Sequence, residues 1–380
     1  MIDLNVAATS ARKPKEVAKA VYDALLYLGN SGRGNDAMSL DTARMIYQTR
    51  KKLANLFDVK KMENVVFTAN ATQSLNMAIC GLLQKGDHVI TTCMEHNSVL
   101  RPLYQKEKEG VEISFVGCDA KGVLQYEQFP LLLQKNTKMV VCTHGSNVTG
   151  NLNDIAKIGA FCKQNGLLFV VDASQTAGVF PISMQKMHID VLCFTGHKGL
   201  MGPQGTGGLC VAECVEIPSF YTGGTGVQSF LKTQPQTYPE HLEAGTLNGH
   251  GIAGLSAALD FIAQTGLEVI QQKEYTYMMQ FYDGIKDTPK IEIYGDFETK
   301  QRAAIVTCNI KGVSSGKFCD VLAQEYDIAV RGGVHCAPLL HEALGTAKQG
   351  AVRFSFGYFV TEAEVETAIT AVKQIVEVLT

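Results

Sequence analysis

The sequence predicts an α/β protein: a large domain with a mostly parallel sheet covered by helices, followed by a smaller α+β domain. Three observations carry that expectation. Nearly continuous apolar runs alternate with helix-length amphipathic stretches between Val65 and Val171, the pattern of strands buried on both faces. Polar and titratable residues follow directly on those runs, where open parallel sheets bind ligands. The pattern then changes character through the glycine-bearing segment Glu243-Ala-Gly-Thr246. The expected domains are residues 16–250, and 1–15 together with 251–380.

The elements follow in order. After a short strand-like start, residues 14–28 carry helical spacing (Val17, Val21, Leu25, Leu28) and stop at Gly29-Asn30. A polar loop leads to a long amphipathic helix over 40–57. Strands are expected at 65–67, 88–92, 111–116, 139–143, 167–171 and from Val191, with helices over 73–83, 129–134 and 155–164. The later third reads as a small-residue helix over 252–262, helices over 268–285 and 318–325, strands over 303–310 and 352–356, and a final helix. Thr361 and Glu364 form a capping box for that helix, and Val365, Ile369, Val372, Ile375 and Val376 its apolar face.

Composition narrows the class. The 380 residues are 46% hydrophobic and 19% charged, with a net charge of −3, which gives no basic footprint for nucleic acid. No apolar run reaches the roughly 18 residues of a membrane span, and Met1 does not open a signal-peptide pattern. Eleven cysteines are an odd number without a Cys-x-x-Cys pair. Several (Cys142, Cys193, Cys210, Cys308) fall in β-like runs, as small hydrophobes do. These features point to a cytoplasmic, reduced protein, with neither membrane nor nucleic acid as partner and no metal.

Five expected strand ends carry donors or titratable groups: Thr68–Ser74, Glu95–Asn97, His144–Asn147, Asp172–Gln175 and Thr195–Lys198. That is more than turn chemistry requires, and it predicts one shared site. Lys198 stands at the mouth of the sheet beside hydroxyl and imidazole donors, suited to a Schiff-base nucleophile in a phosphate-bearing cofactor site. A lysine that merely packs its stem is the alternative. Asp172 is either a helix cap or the partner that keeps a pyridine nitrogen protonated. Ala71 and Thr72 lie at a strand-to-helix turn, which offers N–H groups to a phosphate; Thr72 is equally an ordinary N-cap. His96 is a candidate to stack on a cofactor ring. The segment Arg331-Gly-Gly-Val-His-Cys-Ala337 reads as a mobile loop in which Cys336 sits beside His335. A neighbouring imidazolium or arginine would favour its thiolate. Arg331 and Arg353 offer planar forks for a substrate carboxylate.

Taken together, Ala71–Ser74, Glu95-His96, Ser146-Asn147, Asp172–Gln175, Thr195–Lys198 and Arg331–Cys336 resemble the class V aminotransferase superfamily, and within it the cysteine desulfurase and selenocysteine lyase branch. The likeness covers nearly the whole chain, in the right order. It implies fold type I, pyridoxal 5′-phosphate (PLP) as cofactor, and a homodimer with its sites at the subunit interface. By position it makes Lys198 the lysine that binds the cofactor and moves the substrate α-proton, and Asp172 the partner of the pyridine nitrogen. Gln175 becomes the donor to the ring hydroxyl, and His96 the stacking and catalytic histidine. Ala71, Thr72, Thr195 and His197 become phosphate ligands, with Thr246 a phosphate contact from the other subunit. Asn147, Arg331 and Arg353 would bind the substrate carboxylate, and Cys336 would be the nucleophile.

The activity so implied is conversion of L-cysteine to L-alanine with a persulfide on Cys336, and with it a sulfur- or selenium-acceptor protein as partner. A lyase acting on L-selenocysteine, and an aminotransferase or β-lyase in which Cys336 is incidental, are the alternatives. Two departures stand out. Asn5 and Val6 replace the family's aspartate and asparagine, and Arg33–Asp36 lacks the usual histidine-containing pattern. Both fall where the family closes its site entrance, so they bear on substrate choice.

Overall fold

The computed structural model describes residues 1–31 and 36–379, so Arg33, Gly34 and Asn35 of the second departure lie outside the described residues. Along the chain run β1 (Ile2–Asp3), α1 (Lys15–Tyr27), α2 (Ala37–Phe57), β2 (Val65–Thr68), α3 (Ala71–Leu82), β3 (His88–Thr92), α4 (Asn97–Lys108) and β4 (Glu112–Val116). Next come α5 (Gln128–Leu131), β5 (Thr137–Thr143), α6 (Ile155–Gln164), β6 (Leu168–Asp172), β7 (Val191–Thr195) and β8 (Gly207–Val211). The remainder is α7 (Gly249–Thr265), α8 (Leu267–Ile285), β9 (Ile291–Tyr294), β10 (Ile305–Ile310), α9 (Ser315–Tyr326), β11 (Ile328–Ala329), β12 (Arg331–Gly333), α10 (Pro338–Ala343), β13 (Ala351–Ser355) and α11 (Glu362–Leu379).

The fold class is the one expected. Strands β2 to β8 form one sheet in the order β2-β8-β7-β6-β5-β3-β4. Its pairs are parallel except those made by β8, which runs against both β7 and β2. Strands β5, β6 and β7 are almost wholly buried, as the unbroken apolar runs require. β8 is absent from the sequence reading because Gly207 and Gly208 argue against a strand. The structure explains them. A Cβ at Gly207 would lie 2.7 Å from the Asn70 Cα, and one at Gly208 2.6 Å from the Val66 carbonyl oxygen. Glycine is what lets β8 press against β2 and the turn after it.

The smaller sheet has the order β12-β13-β10-β9, backed by a core in which Phe281, Phe318 and Phe354 meet. The segment read as a mobile loop is partly regular: β12 pairs antiparallel with β13 and sets Arg331 opposite Arg353. A parallel pairing of β1 with β11 and a bridge from Asn5 to Ser355 carry the beginning of the chain across this part of the fold. It then turns to the Lys198 loop, where the Ser10 N–H donates to the His197 carbonyl at 3.0 Å.

Local signals set the helix starts. Asn70 caps α3 by accepting from the Gln73 N–H, Asp154 caps α6 and Ser314 caps α9. The Thr361–Glu364 box is formed at the start of α11. Among the described residues no single helix is long and apolar enough to cross a membrane. Tyr22, Leu25 and Tyr27 on α1, Tyr47 on α2, and Phe230 are exposed apolar side chains.

A buried ion pair ties the segment around Thr246 to the large sheet. Arg50 holds both carboxylate oxygens of Glu243 (2.8 and 2.9 Å), and Glu243 also accepts from the Phe67 N–H at 2.7 Å. Removing one member strands the other charge in a nearly water-free setting. Glu243→Ala is therefore expected to lower unfolding stability by about 3–5 kcal/mol, read from urea melts. A loss below about 1 kcal/mol would show the pair to be solvated.

Candidate active site

Because β2, β3, β5, β6 and β7 run in one direction, their C-terminal ends meet at one edge of the sheet. There Ala71, Thr72, His96, Asn147, Asp172, Gln175, Thr195, His197 and Lys198 line one cavity of about 220 Å³, together with Arg331 and Arg353 from the smaller sheet. Thr246 is not among them. It lines neighbouring cavities beside Glu243 and Leu247, so within one chain it does not reach Lys198.

Lys198 is half-buried at the cavity wall. Burial lowers its amine from 10.5 to about 8; Asp172 opposes that shift, while the Arg353 and Arg331 guanidiniums add to it. Asp172 accepts from the Ser174 N–H (2.9 Å) and hydroxyl (2.5 Å) through Oδ1, a local turn that fixes the carboxylate. The Nδ1 atom of His96 accepts from the Ser98 N–H at 3.0 Å and caps α4, which places the ring proton on Nε2. Burial pushes this imidazole down to about 4, so it is neutral near pH 7. Ser98 also meets Thr72 hydroxyl to hydroxyl at 2.8 Å, joining the α3 turn to the histidine. Gln175 donates to the Ala7 carbonyl at 3.0 Å, and His197 Nδ1 lies 3.0 Å from the Thr9 hydroxyl.

Several buried polar atoms have no partner: Thr195 Oγ1, Arg353 Nε and Glu95 Oε2. Leaving such groups unpaired costs about 1–3 kcal/mol each. The first two line the cavity, which therefore fits an occupant with acceptor oxygens. Arg353 is fully buried, donating to the Asn147 carbonyl at 2.8 Å and to Asn5 Oδ1 at 3.4 Å. Burial, with Arg331 adding to it, lowers its pKa to about 9, so it stays cationic at neutral pH without a carboxylate partner among the described residues. Glu95 also escaped the sequence reading as an individual residue. Its Oε1 accepts from the Thr92 hydroxyl (2.6 Å) and the Thr143 N–H (2.9 Å), and burial raises its pKa to about 8. It therefore braces the ends of β3 and β5 as a largely protonated acid.

Cys336 is half-buried, and Arg331 Nη2 donates to its sulfur at 3.4 Å. The second expected neighbour is corrected. The His335 ring is turned into the interior, and burial holds it neutral with a pKa of about 3. Arginine, not imidazolium, faces the thiol. Asn147 enters this arrangement as well, donating through Nδ2 to the His335 carbonyl at 2.8 Å.

The family model described as Aminotransferase class-V matches residues 4–367. The chain belongs to the class V aminotransferase family. Members of this family use PLP. Relatives within it include a probable cysteine desulfurase from Pyrococcus abyssi, 32% identical over 96% of this chain and 92% of that protein. A cysteine desulfurase from Cronobacter sakazakii is 31% identical over 97% and 92%. Among solved structures, the apo cysteine desulfurase from Thermococcus onnurineus NA1 aligns with a TM-score of 0.89 at 31% identity, covering 99% of this chain and 94% of that one. The cysteine desulfurase CsdA (S-sulfonic acid) from Escherichia coli gives the same TM-score and coverage at 29% identity.

Proposed function

We propose that this class V family member is a PLP-dependent cysteine desulfurase that converts L-cysteine to L-alanine and takes up the sulfur on Cys336. The observation that carries this reading is a cysteine sulfur held by Arg331, an arginine that also lines the Lys198 cavity. Its similarity to proteins named cysteine desulfurase supports the same substrate.

In this reading Lys198 would hold the cofactor covalently, with Asp172 for its pyridine nitrogen, Gln175 for its ring hydroxyl and His96 for its ring face. Ala71, Thr72, Thr195 and His197 would take the phosphate. The unpaired Thr195 hydroxyl and the free N–H groups at the start of α3 suit that role. Bound PLP supplies an electron sink for negative charge at the substrate Cα. The other tasks belong to the chain. Arg353, Arg331 and Asn147 would orient the substrate carboxylate, and the Lys198 amine would move the α-proton. Cys336 attacks the substrate sulfur: the Cβ–S bond breaks, an S–S bond forms, and Cβ gains a proton. One thiol and one cysteine thus give one persulfide and one alanine, with no external oxidant.

The apolar exposure on α1 and α2 supports a homodimer, in which Thr246 of a second copy would complete the phosphate site. All eleven cysteines are free, which favours a reducing, cytoplasmic setting. A sulfur-acceptor protein or a thiol reductant would then discharge Cys336.

The test is turnover of L-cysteine and of L-selenocysteine by the cofactor-loaded protein with a thiol reductant present. Alanine and sulfide in equal amounts from L-cysteine are expected. Turnover confined to L-selenocysteine would select the lyase, and neither product, with amino-group exchange instead, would select an aminotransferase. Arg353 offers a sharper check on the carboxylate site. Arg353→Gln removes the buried cation that lines the cavity while keeping a donor for the Asn147 carbonyl, so KM for L-cysteine should rise about tenfold or more. An unchanged KM would remove Arg353 from substrate binding.

A further inference from the structure

The loop that carries Cys336 has a conformation its residues do not favour. His335 and Cys336 are consecutive non-glycine residues with φ of +49° and +59°, a left-handed pair that persists only where the surroundings hold it. Three backbone contacts help. The Asn97 N–H donates to the Cys336 carbonyl (2.6 Å), the Ala337 N–H to the Val334 carbonyl (2.9 Å), and Asn147 to the His335 carbonyl. The fourth constraint is a chain of side chains. His335 Nε2 is 3.0 Å from the Arg331 carbonyl oxygen, His335 Nδ1 is 3.1 Å from His341 Nε2, and His341 Nδ1 is 2.7 Å from the Thr346 hydroxyl. The two rings stack with centroids 5.3 Å apart, and both are buried.

The proton positions follow from one end. A carbonyl oxygen can only accept, so His335 carries its proton on Nε2 and must accept at Nδ1. His341 then carries its proton on Nε2 and accepts from Thr346 at Nδ1. Among the described residues the groups facing the pair are Arg331, Arg353 and Thr346, with no carboxylate to favour an imidazolium. Burial accordingly keeps both rings neutral, with pKa values of about 3 and 4. The His335 ring thereby clamps the carbonyl of the residue whose side chain holds the Cys336 sulfur.

We propose that His341 is a positioning residue for Cys336: acting through His335, it fixes the left-handed turn that presents the sulfur beside Arg331. This rests on the reading of Cys336 as the sulfur acceptor, so the experiment separates the two. In the cofactor-loaded full chain, exchange of the α-proton of L-alanine with deuterated solvent needs the Lys198 cavity but not Cys336, whereas alanine formation from L-cysteine needs both.

His341→Leu, which has no donor for His335 Nδ1, should keep the exchange rate within about twofold and lower kcat for desulfuration at least tenfold. His341→Gln, which returns an N–H to that place, should recover most of the loss. In the free protein, ¹⁵N spectra of labelled histidine should show both rings neutral, with the Nε2–H form, from pH 5 to 8. Equal loss of exchange and desulfuration in His341→Leu, or no rescue by Gln, overturns the proposal, as does either ring titrating near pH 6.5. If His341→Leu does not fold, Thr346→Val is used, which strips only the outer partner. A selective loss of desulfuration of threefold or more supports the relay, and an unchanged rate overturns it. Exchange without any desulfuration in the unaltered protein would instead overturn the proposed function.

Discussion

Cys336→Ala is expected to abolish alanine formation from L-cysteine, lowering it by at least about a hundredfold, while cofactor uptake and α-proton exchange on L-alanine persist. The substrate sulfur needs an electron pair donor that becomes its new partner, and a methyl group supplies none. The group that holds the sulfur, Arg331 Nη2, cannot substitute, because it donates protons and not electrons. Cys336→Ser is the companion variant: it keeps an atom for Arg331 to hold and a similar volume, yet should be as inactive. Alanine quantified at steady state, with mapping of the labelled sulfur in the unaltered chain, reads the result. Alanine production by the Ala variant within threefold of the original would assign Cys336 a structural role and remove the Cys336 persulfide from the reading.

The second large effect is at Lys198. Lys198→Ala should leave no position at which borohydride can fix the cofactor to the chain, and should lower turnover by about a thousandfold or more. The pH dependence gives a finer test. With its amine lowered to about 8 from 10.5, roughly a tenth of Lys198 is neutral at pH 7, against less than about one in a thousand for an ordinary lysine. Capture of the cofactor aldehyde by the free protein should therefore rise about tenfold per pH unit up to about 8 and then level off. A rise continuing to pH 10 would mean that the amine is solvated. The same shift has a stability consequence of definite sign. The unfolded lysine holds its proton up to 10.5 and the folded one only up to about 8, so this group's contribution is fully present above 10.5. It is lost as pH falls from 10.5 to 8, and is flat below that.

How far the sequence could be read depended on whether a residue's role is local. Val191 to Thr195 is apolar and continuous, and no other arrangement suits such a run as well as a central strand. The strand-end groups followed from it, because direction alone brings them to one edge. The start of α4 was not legible. Its cap is the imidazole of His96 and not a serine or aspartate, and Pro102 interrupts the helical pattern. β8 and β12 were hidden by glycines whose purpose is close contact with distant segments, Asn70 in one case and Ser315 in the other. The His335 ring could not be placed either, since its orientation depends on His341 and Thr346 across a turn. Glu95 looked like one more polar residue in a loop; only burial makes it a protonated brace.

The path of residues 2–10 has a consequence for how the protein comes into being. These residues are synthesised long before several of their partners, which include Ile328, Ala329, Arg353 and Ser355. On the way they also meet Gln175 and His197 in the cavity. A growing chain thus cannot complete the docking of this segment until Ser355 has left the ribosome, and the loop closed between Ala7 and Ser355 spans 348 residues. The large sheet can be assembled earlier, but Gln175, His197 and Arg353 acquire these neighbours only once both ends of that loop are made. The cavity is completed after the sheet that carries most of it.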